Sequence, residues 1–261
     1  MSSILSVPVR PARILARLGV IIAILVILSV AGQYARFFLG HGRLLGFIDA
    51  FDVDAETNVP TYFSCLLLLT ASLLTGLVAS AARQSRAAFA RHWGVLSLIF
   101  AYLSLDEFMM LHERLAHLPF LPAKEGVLFY AWVIPGLVLV AVFGASYARF
   151  FWGLPARSKV LFAAAGGVFV GGAIGVEMMA GLYASQYGEI SFAHAMITTV
   201  EETFEMSGVA LFIYALLDYL GARVGEVRGV FGSEPAVPSF VTRNGVSRPS
   251  PRIGRAVSRR E

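Results

Sequence analysis

Six stretches of this chain run for 20 residues or more and are mostly apolar, and they constrain the fold more than anything else in it. They cover residues 15–39, 61–82, 93–115, 126–150, 160–184 and 194–220. A helix needs roughly 20 mostly apolar residues to cross a bilayer. The first run holds an unbroken apolar core over 18–31, and the fourth is interrupted by Pro135-Gly136, which predicts a kink. The runs lack the alternation of a membrane barrel and are too long for strands. Only 15% of the residues are charged, 57% are hydrophobic, and the mean hydropathy is +0.72. Soluble domains carry about 25% charge. The composition excludes a soluble enzyme, a disordered chain and a disulfide-built secreted module. Cys65 is alone, which excludes an internal disulfide and a cysteine zinc site. The expected fold is all-α: a six-helix transmembrane bundle over 15–220, a short N-terminal segment (1–14) and a tail (221–261).

The basic residues orient the bundle. With six spans, seventeen lysines and arginines fall on the side of the termini and four (Arg36, Arg43, Arg114, Lys124) on the other. The positive-inside rule puts both termini in the cytoplasm of an inner-membrane, multi-pass protein. Span one also has the make-up of a signal peptide, but aromatic residues (Tyr34, Phe37, Phe38) continue past its core, as in an uncleaved anchor. The loop 40–60 is acidic, and with Glu56 and His41 it would roof a site on the outer side. The tail shifts to Gly, Pro, Ser and Arg and is expected to be disordered, its arginines in solvent or near anionic lipid.

Acids interrupt three of the spans. Span three contains Asp106, Glu107, His112 and Glu113. Span five contains Glu177. Span six contains His194, Glu201, Glu202 and Glu205. A charge at the bilayer centre costs about 2.5–3.5 kcal/mol on the lenient insertion scale. No lysine lies in these segments, and Arg114 sits at the end of span three. The acids must therefore hold protons or face a bound cation. At 100° per residue, Asp106, Met110, Glu113 and His117 fall within roughly 60° of one another, as do His194, Thr198, Glu201, Glu205 and Gly208. At 1.5 Å per residue, Asp106, Glu177, Glu201 and Glu205 share one layer in the outer half of the membrane, with Glu113 and His194 above it. Gly167, Gly171 and Gly175 form a small-residue stripe for close helix packing. Glu177 falls on a different face, in line with Val170 and Gly181.

Known metal motifs do not fit. His112-Glu113-Arg114-Leu115-Ala116-His117 spaces its histidines five apart, where a metalloprotease helix needs four. Neither acidic helix has the Glu-x-x-His of a di-iron bundle. No nucleotide loop, haem motif or nucleic-acid patch is present, and the partner expected is membrane lipid.

Three functions remain. A metal-dependent membrane enzyme acting on a lipid or amphipathic substrate would bind Zn, Fe, Mn or Mg through Asp106, His112, Glu113, His194, Glu201 and Glu205. Glu107, Glu177 and Glu202 would then serve as supporting groups or general base. A proton- or cation-coupled transporter would use the same carboxyls as its binding site. A non-catalytic subunit or assembly factor would use them only to join helices.

Three segments resemble an uncharacterised family of bacterial multi-spanning membrane proteins. They are residues 51–61, Leu103-Ser104-Leu105-Asp106-Glu107 with His112-Glu113, and Glu201-Glu202 with Glu205-Met206. The resemblance extends over roughly residues 45–220 and implies no activity. Asp106-Glu107 followed by Met109 is also similar to alkaline-ceramidase-type intramembrane zinc hydrolases. That family carries a late pair of histidines, and here the last helix has only His194.

Overall fold

In a computed structural model the chain is described over residues 10–115 and 125–224. Lys124, His117 and the tail beyond 224 lie outside the described residues, as do the side chains of Glu113 and Leu115.

All described secondary structure is helical. The long elements are α1 (Pro11–Phe38), α3 (Val59–Gln84), α4 (Ala90–Met109), α6 (Val133–Trp152), α7 (Ala156–Val170), α8 (Glu177–Tyr187) and α9 (Phe192–Val224). Short α2 (Phe47–Phe51) lies between α1 and α3, and short α5 (Leu111–Leu115) follows α4. Among the described residues, five helical rods are long and apolar enough to cross a membrane: α1, α3, α6, Ala156–Tyr187 and α9. That composition is compatible with a membrane protein of several spans. The expected count was six. The missing one is α4, as long as α6 at 20 residues, whose Asp106 and Glu107 lower its apolarity. Leu73, Leu98, Leu139 and Ile27 stand outward on these rods, where lipid rather than water suits them.

Local signals explain the ends. Pro11 opens α1, where its missing N–H is not needed. Asn58 caps α3 by accepting from Thr61 N at 3.1 Å. Pro135 does not kink a long fourth helix. It lies in the first turn of α6, and residues 126–132 are instead a turn that folds against α8. Span three is also broken: Met110 adopts a left-handed conformation (φ 53°) and ends α4. The face expected to join Asp106 to Glu113 and His117 is therefore not continuous.

α9 is the hub, touching α1, α3, α7 and α8. Bilayer lipid gives apolar side chains no drive to associate, so close packing and polar contacts hold such a bundle. At Gly208 a Cβ would stand 2.6 Å from the backbone nitrogen of Phe169 on α7. At Gly172 it would stand 2.9 Å from the carbonyl oxygen of Glu201. The expected stripe is displaced: Gly167 and Gly175 have no neighbour within 4 Å of such a Cβ. The close approach runs through Phe169 and Gly172 instead, where a π-helical segment, Gly171–Val176, begins. Away from the acids, Ser72 and Ser97 each donate to the other's backbone carbonyl (2.8 and 2.9 Å), tying α3 to α4. Beside them Trp93, Phe150, Phe100 and Phe212 pack an aromatic core.

Gly208→Ala should lower the unfolding temperature of the detergent-purified protein by the equivalent of about 1–3 kcal/mol, the usual range for overpacking. Gly166→Ala, facing open space, should leave it unchanged or raise it.

Candidate functional site

The end of α4 builds the first part of the site. Met110 N donates to the Asp106 carbonyl at 2.7 Å and the chain folds back into α5. His112 N then donates to Asp106 Oδ1, and His112 Nδ1 lies 2.9 Å from Oδ2. One carboxylate thus caps the new turn and fixes the imidazole. Beside it, Glu107 faces the Ser64 side chain of α3.

The turn before α6 supplies the second part. The Trp132 ring packs on His112 (centroids 4.9 Å apart), and its Nε1 donates to Glu177 Oε1 at 2.8 Å. Glu177 opens α8 directly after the π segment, and its carboxyl faces that of Glu201 on α9. Glu201 is 8% exposed. Glu205 lies within electrostatic reach of Asp106, Glu107, His112 and Glu177. Glu202 interacts with Glu205 and Glu107 and with Asp54 and Glu56 of the loop. So Asp106, Glu107, His112, Glu177, Glu201, Glu202 and Glu205 form one electrostatic neighbourhood, and the loop faces it.

His194 lies within electrostatic reach of Glu177 and has hydrogen-bond partners of its own. It is 5% exposed, its Nε2 is 3.1 Å from the Tyr130 hydroxyl, and that hydroxyl donates to Glu189 Oε1 at 3.1 Å. Burial first, then the Glu189 and Glu177 carboxylates, pushes the Tyr130 phenol up, keeping it a donor. Trp132 and Tyr130 were not legible as site residues, because 126–150 read as one apolar span, and Glu189 was not, because it falls between the fifth and sixth runs.

The loop is itself built. Ser29 of α1 accepts from Val53 N at 3.1 Å, and Asn58 Nδ2 donates to the Asp52 carbonyl. Asp52 is buried and meets the Gln33 side chain.

Among the described residues, no group of three or more His, Cys, Asp or Glu is placed to hold a metal ion. The donor types would suit one, and the close contact between two of them is a pair, Asp106 with His112.

Residues 18–220 match a protein family described as a domain of unknown function, DUF8692. The chain belongs to this family. Every acid of the cluster lies inside the DUF8692 match, in keeping with the uncharacterised family that the sequence resembles. No curated protein and no solved structure matches the chain.

Burial raises the Asp52 carboxyl above its ordinary 3.8, so the folded state holds the Asp52 proton more tightly than the unfolded state does. That stabilisation is complete below 3.8 and is lost as the pH rises through the raised value. Asp52→Asn keeps an acceptor for Asp54 N. The variant should lose this pH dependence in detergent unfolding experiments and be the more stable form at neutral pH.

Proposed function

We propose that the chain is a proton- or cation-coupled transporter of the cell's inner membrane, with the carboxyl cluster as its cation-binding site. In this reading α4 is the sixth span, both termini are cytoplasmic, and the cluster lies in the outer half of the bilayer. The observation that carries it is the Glu177–Glu201 contact. It sets carboxyls of two rods face to face, at the point where Gly172 brings the second half of the Ala156–Tyr187 rod to α9. Ionised together, these carboxyls repel; protonated, or with a cation between them, they attract. Occupancy therefore biases how α8 sits on α9, which is the coupling a carrier needs. Asp54 and Glu56 lead toward Glu202, and Glu202 toward Glu205 and Glu107, so acids line an approach from the loop. Among the described residues, neither ion pair involving an arginine reaches the cluster: Arg43 pairs with Asp49, and Arg157 with Asp218.

A metal-dependent enzyme acting on a lipid is the second reading. Asp106, His112, Glu107 and Glu205 favour it, offering three carboxylates and an imidazole within electrostatic reach of one another. Glu113 would be a further donor. Bound there, Zn, Fe, Mn or Mg would polarise a carbonyl or activate water. The third reading, a non-catalytic subunit, treats the carboxyls as helix glue, so Glu201→Gln would be harmless.

The full chain reconstituted in vesicles separates these readings. Under a pH or cation gradient, an internal indicator dye should report flux in the wild type. Glu177→Gln with Glu201→Gln should reduce that flux to the level of protein-free vesicles while the fold is retained. No flux in the wild type, with near-stoichiometric metal that falls in Asp106→Ala and His112→Ala, would assign the enzyme instead.

A further inference from the structure

At the end of the α3–α4 hairpin away from the acids lies an open groove of about 460 Å³. Small residues make the room: Gly76 and Ala79 on α3, and Gly94 on α4. Val95 and Leu98 extend the wall outward, and both are exposed on the face where the hairpin meets lipid. The mouth is cationic. Arg83, in the last turn of α3, reaches across to α4, so that a Cβ on Gly94 would stand 3.0 Å from its Nη2. Arg91, in the first turn of α4, lines the same groove.

These arginines differ from others in the chain. Arg157 is held by both oxygens of Asp218 at 2.9 Å. Among the described residues, neither Arg83 nor Arg91 has a carboxylate within ion-pair distance. Arg91 also stands where cations are disfavoured, at the positive end of a 20-residue helix with no side-chain cap. An anion between the two guanidinium groups would offset both repulsions, and phosphate oxygens match their forked donors.

We propose that this groove binds one anionic phospholipid. Its phosphate lies between Arg83 and Arg91 beside the start of α4, and an acyl chain lies along the Gly76–Gly94 cleft toward Leu98. The apolar walls and their continuity with the lipid-facing surface select a phospholipid over a free phosphate. The two cations select an anionic headgroup over a zwitterionic one. The site is independent of the acidic cluster and of what that cluster does.

Native mass spectrometry of the full chain tests this, after exchange into micelles with equal phosphatidylglycerol and phosphatidylcholine of matched chains. The wild type should retain one phosphatidylglycerol several-fold over phosphatidylcholine. Arg83→Gln with Arg91→Gln should abolish the preference. Gly94→Leu keeps both cations but fills the cleft and should also lose the lipid. Unfolding temperatures in lipid-free detergent identify any variant that fails to fold, and the other variant then decides. Equal retention of the two lipids by the wild type overturns the proposal. So does a preference that survives in either folded variant, which would mean attraction to the surface without a groove. Inorganic phosphate that stabilises the wild type as well as phosphatidylglycerol does would assign the site to a soluble anion and overturn the lipid.

Discussion

A carboxyl group among lipid-facing helices must find a proton, a hydrogen-bond donor or a cation, because the surroundings cannot solvate its charge. This requirement shapes one end of the molecule. α9 turns its acidic stripe toward the tightest approaches in the bundle, Gly172 and Gly208, rather than toward lipid. α4 stops at Met110 so that Asp106 can bond the backbone and ring of His112. The turn before α6 brings an indole to Glu177, and the loop over α2 brings Asp54 and Glu56 to Glu202. Each departure from a plain apolar rod lies where an acid needs a partner.

The opposite end follows different physics. There the aromatic core around Trp93 and Phe150 fills space, the reciprocal Ser72–Ser97 bonds fix the α3–α4 register, and arginines stand at the surface, Arg157 paired with Asp218. A chain that keeps its acids inward at one end and its arginines outward at the other has two chemically distinct faces. The first suits cations and the second anionic lipid.

Much of this was legible in the residues. The apolar runs located α1, α3 and α9 closely, and 3.6-residue periodicity put His194, Thr198, Glu201 and Gly208 on the buried face of α9. Three features were hidden. No Gly or Pro marks position 110, since the left-handed turn there is held by Asp106 bonding to His112 six residues away, a contact no helical wheel contains. Pro135 read as a kink because residues 126–132 are as apolar as a helix, although a proline in a first turn signals a start equally well. The contact face of span five runs through Phe169 and Gly172, whereas the four-residue spacing of small residues selects Gly167, Gly171 and Gly175. His194 bonds Tyr130, a partner that lies far from it in the chain.

The central claim is that acids from separate rods touch, and thiol cross-linking in intact membranes tests it most directly. In a Cys65→Ser background, Glu177→Cys with Glu201→Cys should be joined by a short bifunctional thiol reagent, shown by a mass shift of the full-length chain. Met179→Cys with Glu201→Cys should not react, because Met179 points outward on the same helix. Equal cross-linking of both pairs, or of neither, would contradict the account.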